Sequence, residues 1–234
     1  MFPLGFWSLV FMASPEERPA IENIGWIFSY RIESGRLSHF ESGYRDHLDW
    51  HRRHKDHMAW YGWFVANGPR MGTFIDGTFG HRFDASKNRV DPQGDQEHFQ
   101  QFVAPFVTPA NRTTYEHLTA ASTSRFLEER EKPEAILVYR LTLAVGCEDA
   151  FRKSLVAIRS TFSNQEQSMA FSWYKVLEGD RIPTYVLMIP MGEGYANVQT
   201  ATAVVSNMDG NWRGLVTSLE TETWSYRNDL SYFP

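Results

Sequence analysis

When residues 57–75, HMAWYGWFVANGPRMGTFI, are set over residues 168–186, SMAFSWYKVLEGDRIPTYV, six of the 19 positions are identical at a constant offset of 111. Met58/Met169, Ala59/Ala170, Val65/Val176, Gly68/Gly179, Arg70/Arg181 and Thr73/Thr184 match outright. Trp60/Phe171, Trp63/Tyr174, Phe74/Tyr185 and Ile75/Val186 keep their character. Background residue usage gives about one identity in such a window. A chain that repeats itself at this distance folds as two similar units, and 42% hydrophobic and 15% aromatic residues are ample for their cores.

Each copy carries the same succession of patterns. IGWIFSYRI and EAILVYRLTL are β-branched and aromatic runs that read as strands. SYRI at 29–32 recurs as VYRL at 138–141, an offset of 109, which predicts a two-residue difference between first strand and first helix. A helical segment follows each strand, with Ser38 and Glu41 as a candidate capping box in the first and Glu148 and Asp149 in the first turn of the second. Asn67-Gly68 and Glu178-Gly179 then supply hairpin turns between aromatic-rich strands. A polar loop, ASKNRVDPQGDQ, precedes a helix expected around 96–107 and a short strand near 112–118; in the second copy the helix is expected from Asn207 to about Leu219 and the strand at TWSYR. The order is β-α-β-β-α-β twice, the ferredoxin-like motif, so the fold class is α+β.

Two such units in one chain resemble the dimeric α+β barrel (ferredoxin-like) superfamily, which includes NIPSNAP-like proteins, antibiotic-biosynthesis-type monooxygenases, and the haem-binding chlorite dismutase and dye-decolorising peroxidase relatives. The resemblance rests on the element order and the repeat. It implies an intramolecular α+β barrel with substrates or haem held between helices and sheet. The expected division is an N-terminal extension over 1–21, a first unit over 22–125, a charged linker over 126–133 ending in Pro133, and a second unit over 134–234.

The formal charge of −5 and the lack of any Lys/Arg run leave no electrostatic footprint for nucleic acid. The single cysteine, Cys147, excludes an intramolecular disulfide framework and Cys-based zinc fingers. The apolar run near the N-terminus is too short to span a bilayer and lacks the basic start of an export signal, so no membrane partner is expected and the expected location is cytoplasmic, with an exported protein carrying a degraded signal as the alternative. A homodimer is a further possible arrangement.

The two copies differ most in histidine. All eight (His39, His47, His51, His54, His57, His81, His98 and His117) lie in the first. At roughly 100° per residue, Phe40, Tyr44, His47, His51, His54 and Met58 form one helix stripe, while His39 and His57 fall to its flank. The matching stripe in the second copy is Phe151, Leu155, Ile158, Phe162, Gln165 and Met169, so imidazoles replace core residues. Buried polar groups without partners cost about 1–3 kcal/mol each, and something must offset that cost.

Three readings follow. The first is a cavity for a small apolar or aromatic molecule, in which His47 and His51 are acid/base or anchoring groups and Asp76 is an orienting carboxylate, with no cofactor. Tyr30, Tyr44, His54, Trp63 and His81 are the expected substrate-binding residues, and the resemblance implies a monooxygenase-like oxidoreductase. The second is a haem or divalent-metal site built on the i, i+4 pair His47 and His51, completed by His54 or by His81 or Asp76. The third is a non-catalytic binding or scaffold barrel whose histidines are structural. Arg31/Arg140 and Arg70/Arg181 occur in both copies and are expected to serve the fold, as barrel-interior or hairpin ion pairs. GTFIDGTFGH lacks phosphate-loop spacing, and neither a nucleophile elbow nor a dinucleotide fingerprint is present.

Overall fold

The computed structural model describes residues 23–163, 169–192 and 212–234, apart from the side chains of 161–163. The N-terminal extension, Gln165 and the first part of the helix expected at 207–219 lie outside the described residues. The first half contains β1 (Ile24–Ile32), α1 (Leu37–Arg53), β2 (Tyr61–Asn67), β3 (Phe74–His81), α2 (Pro92–Phe102) and β4 (Val107–His117). The second contains β5 (Ala135–Leu143), α3 (Glu148–Ser163), β6 (Ser172–Glu178), β7 (Thr184–Met191) and β8 (Val216–Tyr226).

The eight strands close a barrel in the order β1-β3-β2-β8-β5-β7-β6-β4. Within it, β4-β1-β3-β2 and β8-β5-β7-β6 each have the strand order of a ferredoxin-like unit. The two are joined antiparallel at β2–β8, where Trp63 faces Tyr226, and at β4–β6, where His117 faces Tyr174. Closure removes the open sheet edges that each unit alone would expose.

Alternation along the strands divides the core. One face of each strand fills the barrel, with Ile27, Trp63, Val65 and Ile75 from the first unit meeting Ile136, Val138, Tyr174, Met188 and Trp224 from the second. Phe126 and Leu127, from the segment between the units, are buried in this same cluster. The opposite face of the first unit carries Trp26, Tyr30 and Phe74 under Phe40, Tyr44 and Leu48 of α1. The opposite face of the second packs Tyr139, Leu141 and Tyr185 against Phe151, Leu155 and Ile158 of α3.

The hairpin glycines are set by the joints. Gly68 and Gly179 both have positive φ, and a Cβ there would stand 2.5 Å from the Thr221 carbonyl oxygen and 1.8 Å from that of Arg112, respectively. Only glycine lets each hairpin lie against the other unit's last strand. The Arg70 guanidinium crosses the first joint and donates to both Glu222 carboxylate oxygens at 2.8 and 2.6 Å.

Four local expectations change. Tyr30 stands opposite Phe74 and Leu141 opposite Tyr185, so the strand register keeps the offset of 111 and the two-residue difference is absent. Arg36 is the N-cap of α1 and no side chain caps it; Ser38 is already helical and Glu41 instead accepts from Arg227 at 2.7 Å. The last strands are long, Val107–His117 and Val216–Tyr226, because each must pair with both its own unit and the other. Val216–Leu219 is therefore strand rather than helix. Finally, α2 begins at Pro92, with Asp91 accepting from the Gly94 N–H at 3.1 Å.

Candidate functional site

Between α1, α2 and the outer face of β1 and β3 lies a cavity of about 410 Å³. Phe28, Tyr30, Trp60 and Phe99 give it aromatic walls, and His47, His51, Asp76, Arg89 and Asp95 bring polar atoms to it. The α1 stripe explains the placement, since His47 and His51 follow Phe40 and Tyr44 along the face that covers the sheet.

His51 is 3% exposed and is fixed from behind. Its Nδ1 lies 2.8 Å from Asp56 Oδ2, which also accepts from Trp60 Nε1 at 3.0 Å. Burial pushes the Asp56 carboxyl up, but hydrogen bonds from His51, Trp60 and the Met58 N–H outweigh it and hold the pKa at about 2. An ionised Asp56 can only accept, so His51 Nδ1 carries a proton and donates it to that carboxylate. His51 Nε2 lies 3.4 Å from Asp95 Oδ1, and His47 Nε2 lies 3.3 Å from the same oxygen. The other Asp95 oxygen is paired with Arg89. His47 Nδ1 lies 3.3 Å from His98 Nδ1, and burial lowers the pKa of His47 while the neighbouring Asp95 opposes that shift.

Asp76 sits in the middle of β3, paired with Phe28 of β1 and Gly62 of β2. Its Oδ2 accepts from the Tyr44 hydroxyl at 2.8 Å, whereas Oδ1 is buried without a hydrogen-bond partner. Burial raises its pKa to about 7 against the effect of the Tyr44 hydrogen bond, and the negative charge of Asp95 adds to the rise. Tyr30 and Tyr44 have pKa values well above the usual tyrosine range, first from burial and then from Asp76, so both hydroxyls remain protonated donors.

The cavity thus brings together five of the sequence-predicted residues: His47, His51, Asp76, Tyr30 and Tyr44. Three others stand elsewhere. His54 is exposed at the end of α1, stacked 4.0 Å from the Trp50 ring with Nδ1 2.8 Å from the Trp50 carbonyl oxygen, because it lies past the last turn of the stripe. Trp63 is fully buried inside the barrel, on the other face of the sheet. His81 ends β3 stacked on Trp26, with Nε2 2.6 Å from the Thr78 hydroxyl. The acidic partner of the histidine pair is Asp95, which does not lie on the stripe. Asp95, Asp56 and Arg89 were missed in the sequence, Asp95 because ASKNRVDPQGDQ reads as loop; the Asp91-Pro92 pair, an N-cap followed by proline at the first helical position, is the signal that moves the helix start early enough to find it.

Among the described residues no helix is long and apolar enough to cross a membrane. The barrel order and the helix-covered outer faces are those of two ferredoxin-like units closed into one α+β barrel within the chain. No protein-family model matches the chain, and no curated protein does. Solved structures are similar to it along most of its length. A candidate monooxygenase from Lactobacillus acidophilus superposes with a TM-score of 0.60 at 10% identity over 91% of this chain and 96% of its own. A candidate chlorite dismutase gives 0.60 at 10% identity over 89% and 96%, and an anthrone oxidase-like protein gives 0.53 at 8% over 88% and 92%. At such identities the likeness establishes the fold.

Proposed function

We propose that the cavity of the first unit binds a small hydroxylated polycyclic aromatic molecule and that the protein oxidises it with dioxygen in a monooxygenase-like reaction. The observation that carries this reading is Asp76: a buried carboxylate poised near neutrality, with one oxygen lacking a partner, on the wall of an aromatic-lined space. A general base works best with a pKa near the working pH. Asp76 Oδ1 takes the hydroxyl proton, Tyr44 and Tyr30 donate to the charge that forms, and the electron-rich aromatic then reduces oxygen. Conversion of a ring CH₂ to C=O by one O₂ releases one H₂O, so no external reductant is required. The oxidase and monooxygenase names among the structural neighbours support the reaction class.

Oxygen uptake with anthrone and 1-naphthol tests it. The wild-type protein consumes oxygen, and Asp76→Asn slows uptake by roughly 10²–10⁴-fold, the usual worth of a positioned base. Quenching of tryptophan fluorescence by either compound without oxygen uptake would reduce the site to a binding module.

A further inference from the structure

We propose that His47, His51 and Asp95 bind a single divalent first-row transition-metal ion in this cavity. The inference goes beyond the oxidation proposed above and does not depend on it. Each of the three buried side chains offers one ligand atom, and these atoms lie within 4.8 Å of one another. Asp95 Oδ1 is buried and makes no hydrogen bond, although an imidazole nitrogen stands 3.3 Å away on one side and 3.4 Å away on the other.

The protons explain why. In the neutral ring, the proton that His51 Nδ1 donates to Asp56 leaves the lone pair on Nε2, and a neutral His47 that donates from Nδ1 to His98 likewise has its lone pair on Nε2. Three electron pairs then converge with nothing positive between them. Two ligands each about 2.0–2.1 Å from one ion, at tetrahedral to octahedral angles, lie roughly 2.9–3.4 Å apart, and each imidazole nitrogen stands at that spacing from Asp95 Oδ1.

The surroundings are those of a metal ligand set. The carboxylate behind His51 fixes its tautomer, the partner that metal-bound histidines ordinarily have. Arg89 occupies the other Asp95 oxygen and leaves Oδ1 to serve as a single donor. Two imidazoles and one carboxylate suit iron, cobalt or zinc better than calcium or magnesium, which take oxygen ligands. Both imidazoles and the carboxylate cluster within 4.8 Å, which fits a small ion rather than a haem with its axial ligands on a macrocycle. They also line the cavity, so the remaining coordination positions open toward a bound molecule. The second unit has Ile158 where the first has His47, so the fold itself does not require imidazole there.

Chelator-stripped protein titrated with Co²⁺ and followed by visible d–d absorption tests the proposal without any substrate. We expect saturation at one ion per chain and loss of the bands in Asp95→Asn and in His47→Ile, the latter restoring the residue type of the second unit so that folding is retained. Asp56→Asn, which removes the support behind His51, weakens cobalt binding by roughly 10–100-fold. The combined His39→Gln, His54→Gln and His57→Gln protein, altered only at exposed imidazoles, binds as wild type. A wild-type protein that gives no d–d bands, uptake that survives both Asp95→Asn and His47→Ile, or uptake lost in the exposed triple variant overturns the proposal. Oxygen uptake by metal-free protein would leave the oxidation standing without it.

Discussion

His47 Nε2 on α1 lies 3.3 Å from Asp95 Oδ1 on α2, while the position equivalent to His47 on α3 is held by the buried Ile158. The first helix therefore carries polar groups where its sibling carries hydrocarbon. Buried polar groups without hydrogen-bond partners cost about 1–3 kcal/mol each, a cost that apolar residues of similar volume remove. The double variant His47→Ile/Asp95→Leu is predicted to raise the unfolding free energy by about 1–3 kcal/mol in EDTA, measured by urea denaturation, and to abolish ligand response. A large loss of stability would make the pair structural.

Asp76 gives a pH signature. Its folded pKa of about 7 is raised above the ordinary carboxylate value, so between those two pH values the folded protein binds the extra proton and stability falls as pH rises. The penalty is complete above about pH 7 and absent below about pH 4. Asp76→Asn, neutral throughout, is predicted to raise the melting temperature at pH 8 and to leave it nearly unchanged at pH 4, by calorimetry in EDTA. An equal shift at both values would contradict the assigned titration.

Glu222 is 2% exposed, and besides Arg70 it accepts from Trp224 Nε1 at 2.8 Å. Burial pushes its carboxyl up, but the Arg70 hydrogen bonds and charge outweigh that and hold it low. Arg70→Ala strands the carboxylate across the β2–β8 joint and is predicted to cost about 3–5 kcal/mol in chemical denaturation. Arg70→Leu/Glu222→Leu recovers most of that loss.

Trp63 separates core from cavity. Because it fills the barrel interior, Trp63→Ala is predicted to cost about 3–5 kcal/mol, measured by urea denaturation, with the affinity of the folded protein for 1-naphthol unchanged. A lost affinity at retained fold would move the binding site inside the barrel.

Much of the fold was legible from local pattern. The offset of 111, the alternating strands and the Gly68 and Gly179 turns are short-range signals, and they lead to the barrel because each unit has an apolar sheet face that needs the other. The histidine stripe was equally legible, since helical period alone puts His47 and His51 beside Tyr44. Its partners were not. Asp95 and Arg89 meet α1 only through tertiary packing of a segment whose composition is that of a loop, and Asp56 turns back onto His51 through the chain reversal after α1. Trp63 and Asp76 show the limit from the other side: both are strand residues near the same helix, and only the register decides which of them faces it.

The central claim is that the first unit's His-lined cavity is where a small molecule binds, and histidine side-chain NMR during titration with 1-naphthol tests it most directly. The account predicts that the imidazole resonances of His47 and His51 move together and saturably, while those of the exposed His39 and His57, and of His117 on β4 at the joint with β6, stay fixed. Saturable shifts at His117 with His47 and His51 unmoved would contradict it.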